Sequence, residues 1–283
     1  MTVCVSIKVH DCLVFAADSA SSLTGVDGAG DPKVFNVWQH GNKVFNLFKG
    51  KPVAAMTCGM GHIGPASIGN LAKDFRFGLM KGDDDTRIDP DNYTIKNIVD
   101  RAHAFFAAKY AATGIPAPAK NYLEFWIGGY GSGCDHAELW KLILLDGVMQ
   151  EPTLIAGTGE DGHIAWGGQP KAINRLIVGF DPDMRAALVD AGLPDATADP
   201  LLGQVREQLQ TPLVHAAMPA QDAIYLADFL VDVTKRYFAF LPGADVVGGD
   251  TDIATVTKHE GFKWIRRKHY YSSDLNPRST DHV

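Results

Sequence analysis

Cysteine is scarce in this sequence and carries no pattern. Cys4, Cys12, Cys58 and Cys134 are the only four in 283 residues. They show neither a CxxC step nor a Cys/His ligand spacing, which points away from a disulfide framework and from a structural zinc site. Reduced thiols in a cytoplasmic protein are the economical reading. No apolar run reaches about 18 residues, so no transmembrane helix is expected. The first residues, MTVCVSIKVHD, lack a basic segment ahead of an unbroken apolar core and do not read as a signal peptide. Basic residues are in deficit: 26 Lys and Arg face 33 Asp and Glu, a formal charge of −7. That balance argues against a nucleic-acid partner. The one basic cluster, Lys258, Lys263, Arg266, Arg267 and Lys268, is interleaved with acidic and aromatic residues.

Other signatures are missing too. Gly129, Gly131 and Gly133 form a glycine cluster, but no Gly-Lys-Ser/Thr follows, so it is not a phosphate loop. Asp83–Asp85, Asp89 and Asp91 do not match a calcium-loop spacing and read as solvated loop charges. The histidines are dispersed, with His62 reading as a helix-start or surface residue. No metal and no cofactor is expected, and no repeat of 20–50 residues is visible.

The patterns that are present are local and periodic. Val3, Val5, Ile7 and Val9 alternate with Cys4, Ser6, Lys8 and His10, the period of a half-buried strand. His10-Asp11 reads as a turn and 13–17 as the returning strand. Residues 23–33 are Gly/Asp-rich and read as a loop. Residues 43–47 and 52–57 flank Lys49-Gly50-Lys51 as a second hairpin, and helices are predicted over 65–79 and 94–111. Strands follow at 122–128, 138–145 and 153–156. Residues 168–213 read as helix interrupted by Pro182 and Pro194, a stronger helix covers 220–240, and two strands fall near 251–257 and 262–266. Strand blocks and helix blocks are segregated, which favours an α+β architecture with antiparallel sheets. One domain over 1–271 and a polar tail over 272–283 account for the chain.

Candidate chemistry begins at Thr2. A hydroxyl is a weak nucleophile unless a base stands beside it, and an N-terminal threonine can use its own α-amine, which titrates near ~8. Met1 must first be removed, because a retained methionine ties that amine into an amide. With the turn at 10–11, paired residues sum to about 21, so Thr2 faces Ser19 and neighbours Asp18. A lysine near the hydroxyl and paired with that carboxylate would lower the hydroxyl's pKa and keep the aspartate ionised. Lys43 and Lys33 compete for this place, since both begin Lys-Val-Phe-Asn. Lys43 is preferred because its distance to Gly59 suits one hairpin. Gly59 ends a strand before a helix, where a backbone N–H free of side-chain cover can serve as an oxyanion donor.

Taken in order, Thr2-Val-Cys-Val-Ser-Ile-Lys, Leu13-Val-Phe-Ala-Ala-Asp18-Ser19, Lys43-Val-Phe-Asn-Leu and Val53-Ala-Ala-Met-Thr-Cys-Gly59 resemble the signature of proteasome β-subunits and their bacterial relatives. Asp222-Ala-Ile-Tyr-Leu226 is similar to that family's helix start, and Val247-Gly-Gly with Ile253-Ala-Thr-Val to its closing strand. The Met-Thr-x-Cys-Val start brings the chain nearest to the ancestral β-subunit group. The resemblance implies the four-layer αββα sandwich of N-terminal-nucleophile hydrolases. It also implies a threonine-type peptidase acting on peptides or unfolded polypeptide, with Thr2 as nucleophile, Asp18 and Lys43 as its charged partners and Gly59 N–H as oxyanion donor. A homo-oligomeric ring or related assembly is implied as well; whether an ATPase partner exists is left open. The family supports the threonine amine with a Gly-Ser-Gly turn and an Asp-x-x-Ser pair. Thr158 in Gly157-Thr158-Gly159 is matched to the first and Asp245, one residue out of register, to the second. An amidase acting on a small amide and an inactive ring scaffold are the alternatives.

Overall fold

The computed structural model describes residues 2–28, 30–83, 86–119 and 121–268. The tail over 272–283 lies outside them, as does Met1. Three hairpins open the chain: β1 (Val3–Lys8) with β2 (Leu13–Ala17), β3 (Ser21–Val26) with β4 (Pro32–Trp38), and β5 (Val44–Phe48) with β6 (Val53–Gly59). Short β7 (His62–Ile63) and β8 (Ala66–Ser67) lead into α1 (Ile68–Lys81), and α2 (Ile95–Ala111) follows. Next come β9 (Tyr122–Gly129), β10 (Glu138–Leu145), β11 (Val148–Met149), β12 (Thr153–Ala156) and β13 (His163–Gly168). Helices α3 (Lys171–Ile177), α4 (Met184–Asp190), α5 (Asp195–Leu209) and α6 (Ala220–Ala239) precede β14 (Asp252–Thr257) and β15 (Gly261–Arg266).

Two antiparallel sheets organise these elements. One runs β13-β1-β2-β14-β15; the other runs β11-β10-β9-β6-β5, with β12 paired to β10. Three apolar clusters say how they are covered. Ile68, Leu71, Phe75 and Leu79 of α1 and Ile98, Ala102 and Phe106 of α2 pack on Phe45, Phe125 and Ile127 of the second sheet. Ile173 and Ile177 of α3 and Ala223, Ala227, Leu230 and Val231 of α6 pack on Val3, Val5, Ile7, Val14 and Ala16 of the first. Cys4, Leu13, Phe15, Ala54, Met56 and Trp126, with Ala254 and Val256, form the third cluster, drawn from both sheets. Period two therefore serves two cores at once. Strand β1, expected to be half-buried, is buried on both faces. Its polar side chains are satisfied inside: Ser6 Oγ donates to Val14 O (3.0 Å) and Lys8 Nζ to Gly157 O (2.6 Å).

The helices start where local chemistry asks them to. Ser67 Oγ accepts from Asn70 N–H at the head of α1, and Thr94 with Asn97 closes a capping box at the head of α2. Two expectations need correction. Residues 23–26 and 32–33 are not loop but strand, in β3 and β4; Asp27, Gly28, Gly30 and Asp31 mark the tip of the hairpin, where Asp27 N–H donates to Asp31 O (2.9 Å). Strand β13 is the second difference: its residues are mostly half-buried and carry no clean alternation, so the sequence pattern does not predict it.

Candidate active site

Thr2 stands at the first position before β1, and the sheet fixes it from both sides. Val3 pairs with Gly168 of β13, and Cys4 pairs with Ala17 of β2. The second register sums to 21, which the turn at 10–11 dictates. The Thr2 carbonyl accepts from Gln169 N–H at 2.8 Å. Gly168 has φ +85°, and a Cβ there would come within 1.9 Å of Thr2 O, so only glycine lets the β13–α3 turn close on this residue. Thr2 is 4% exposed and lines a cavity of about 310 Å3.

The same register delivers Asp18. One residue past β2, it donates its N–H to Val3 O (3.2 Å) and takes the Val3 N–H on Oδ1 (3.0 Å). Oδ2 accepts from Ala20 N–H (3.1 Å) and from Gly248 N–H (3.0 Å), the latter arriving from the loop before β14. Lys43 Nζ lies 2.6 Å from Oδ1. The carboxylate is fully buried and each of its oxygens accepts two donors, the arrangement a buried charge requires. Burial pulls the Lys43 ammonium below its ordinary pKa, and the neighbouring Asp18 pulls the other way. Lys33, the competitor, is exposed on β4 and pairs with Gly25 in the hairpin.

Gly59 closes β6 with φ +94°, and a Cβ there would meet Tyr122 O at 2.2 Å. Met60 N–H donates to Tyr122 O (2.8 Å), which makes Gly59 and Leu123 a non-hydrogen-bonded pair. Gly59 N–H therefore points away from β9, along the edge where Thr57 N–H still meets Lys43 O (2.9 Å) and β5 has already ended. That edge faces the cavity shared by Thr2, Lys43 and Gly59.

Residues the sequence did not single out complete the surroundings. Ser21, Ser22, His40, Asn42 and Ser67 line the same cavity. Beyond them a broader groove of about 860 Å3 runs between the β3–β4 hairpin, with Leu23 and Trp38, and the 59–65 segment. The Gly/Asp-rich composition of 23–33 gives no sign of this wall, which exists only because β3 and β4 pair. Cys58 sits beneath the cavity, where its thiol donates to Glu124 Oε2 (3.3 Å) and Trp126 Nε1 donates to the same oxygen (2.8 Å). Hydrogen bonding with Cys4, burial and the Glu124 charge together push the Cys58 thiol well above its ordinary pKa. It stays protonated and does not compete as a nucleophile.

The two supporting residues stand elsewhere. Thr158 is exposed in the turn whose Gly157 O accepts from Lys8 Nζ, at the other end of β1. Six strand positions, about 20 Å, separate that end from Thr2. The turn at the Thr2 end is Gly167-Gly168-Gln169. Asp245 is exposed, and its carboxylate approaches Gly248 rather than Thr2. It neighbours the residue that donates to Asp18, one step removed from the threonine.

No protein-family model matches the sequence, and no curated protein matches it. In structure the chain is similar to Anbu, as a Gly-1 mutant, from Hyphomicrobium sp. strain MC1. The TM-score is 0.54 and the identity 14%, over 95% of this chain and 86% of that one. At such identity the likeness speaks for the fold alone, a mixed α/β arrangement with antiparallel sheets.

Proposed function

We propose that this chain is a threonine-type peptidase with the four-layer αββα sandwich of N-terminal-nucleophile hydrolases, and that Thr2, freed by removal of Met1, is its nucleophile. The observation that carries this reading is the Asp18 carboxylate, which holds Val3 N–H and Lys43 Nζ together at the cavity Thr2 lines. The free α-amine takes the Oγ1 proton as the oxygen attacks the scissile carbonyl. Lys43 lowers the cost of the developing alkoxide, while Asp18 keeps the lysine in place. Gly59 N–H receives the oxyanion of the tetrahedral intermediate. The intermediate collapses to an ester on Thr2 as the protonated amine gives its proton to the leaving nitrogen, and water then hydrolyses the ester.

The groove beside the β3–β4 hairpin favours extended peptide over a small amide, because a single amide needs no more than the 310 Å3 cavity. A homo-oligomeric ring of reduced-thiol, cytoplasmic subunits is the setting this reading carries with it. The position of Thr158 and Asp245 favours a second reading, a scaffold that retains the fold without turnover. Intact-mass analysis and an electrophilic threonine-protease probe test both, with Thr2→Ala as control. Loss of Met1, an adduct on Thr2 and cleavage of fluorogenic peptides support the peptidase. Retained Met1 or an unreactive Thr2 refutes it and leaves the scaffold.

A further inference from the structure

Far from Thr2, three loops bring together residues that have no spacing in common. His10 comes from the β1–β2 turn, His136 from the segment before β10, and Asp161 from the link between β12 and β13. His10 Nδ1 lies 3.1 Å from Asp161 Oδ2 and His136 Nδ1 lies 3.4 Å from the same oxygen. The three donor atoms all fall within 4.8 Å of one another. Donors bound at about 2.1 Å in a tetrahedral shell stand roughly 3.4 Å apart, so little movement is needed to place an ion between them.

Two further observations separate this cluster from an ordinary His–Asp contact. Among the described residues, five buried side-chain polar atoms lack a hydrogen bond, and His136 Nδ1, which faces the cluster, is one of them. In addition, Lys8 Nζ, buried and anchored on Gly157 O, holds Asp161 Oδ1 in an ion pair at 3.3 Å. It orients the carboxylate from behind so that Oδ2 faces the two imidazoles, the outer-shell support typical of a ligating carboxylate. His10 and His136 also border a cavity of about 610 Å3 with Tyr130, Asp135 and His259, which gives solvent access to a fourth position.

We propose that His10, His136 and Asp161 bind a divalent transition ion of the zinc type through two imidazole nitrogens and one carboxylate oxygen. Two imidazoles select against magnesium and calcium, which prefer oxygen ligands. His10 lies beside the first sheet, His136 beside the second, and Asp161 on the link between them. A bound ion therefore clasps the two sheets at the end opposite Thr2. The proposal is independent of peptidase activity.

Equilibrium dialysis of chelator-treated protein against Zn2+, with elemental analysis, reads the stoichiometry directly. One equivalent per chain is expected, unaffected by excess Mg2+. His10→Ala and His136→Ala should each weaken binding at least tenfold. His259→Ala, on the same cavity but outside the cluster, should leave it unchanged. Because the His10 side chain is 59% exposed, its replacement should leave the circular dichroism spectrum and the metal-free unfolding midpoint as they are. Saturating Zn2+ should raise the midpoint of the wild type by about 5 °C or more and leave that of His10→Ala in place. Substoichiometric uptake by the wild type, or tight binding that persists in His10→Ala, overturns the proposal and leaves a metal-free His–Asp–His network.

Discussion

Replacing Asp18 with asparagine removes one charge and changes no shape, and its cost can be worked from the contacts. Each carboxylate oxygen accepts two donors: Lys43 Nζ and Val3 N–H on one, Ala20 N–H and Gly248 N–H on the other. An amide has one acceptor oxygen. Whichever way it turns, its NH2 faces two buried donors, and Lys43 loses its counter-charge. Removing one partner of a buried ion pair costs about 3–5 kcal/mol, and each stranded N–H about 1–3 kcal/mol, so a loss near the top of the first range is expected. Lys43→Met should cost less, about 1–3 kcal/mol, because three backbone N–H groups still solvate the carboxylate. In the double variant the two losses should fall short of their sum by at least about 1 kcal/mol. Urea unfolding in the Thr2→Ala background measures all three without interference from catalysis. Asp18→Asn within about 1 kcal/mol of its parent, or Lys43→Met costing more than Asp18→Asn, would refute this account of the site.

Other outcomes follow from the same contacts. Gly168→Ala should displace the Thr2 backbone, since the added Cβ has to clear Thr2 O from 1.9 Å; probe labelling of Thr2 should drop tenfold or more, read by mass spectrometry. Iodoacetamide at neutral pH should label exposed Cys134 and spare Cys4, Cys12 and Cys58, whose thiols are buried, Cys12 being pushed up to about 11 by burial and Asp11. Native labelling of Cys58 would contradict its place beneath the cavity. Probe reactivity of processed protein should rise about tenfold per pH unit below the α-amine pKa near ~8 and level off above it; a flat profile would exclude the amine as base. Burial lowers the Lys43 pKa below 10.5, so between the two values the unfolded chain binds more protons and stability rises with pH. Lys43→Met should flatten that rise in urea unfolding as pH approaches 10.5 from below.

Several parts of this protein were legible in its residues alone. The alternation of 3–9, the turn at 10–11 and the return over 13–17 determine a hairpin register, because in an antiparallel pair one turn sets every partner. That is why the residues alone set Asp18 beside Thr2. The 43–59 hairpin follows the same rule, and Lys43 and Gly59 come to the same cavity. The helices were legible from periodicity and caps, as Thr94 with Asn97 illustrates.

Tertiary structure decided whatever joins segments distant in the chain. Gly248 reaches Asp18 across 230 residues, and Gln169 reaches Thr2 because β13 pairs with the outer edge of β1. No local pattern encodes which loop end meets which once two sheets stack. Matching Gly157-Thr158-Gly159 by motif therefore put Thr158 at the wrong end of β1. His10, His136 and Asp161 show the same principle in reverse: dispersed histidines had no ligand spacing, and only the convergence of three loops made them neighbours. Register propagates along a hairpin, but the docking of one layer on another depends on summed burial across faces, a quantity no short stretch of sequence contains.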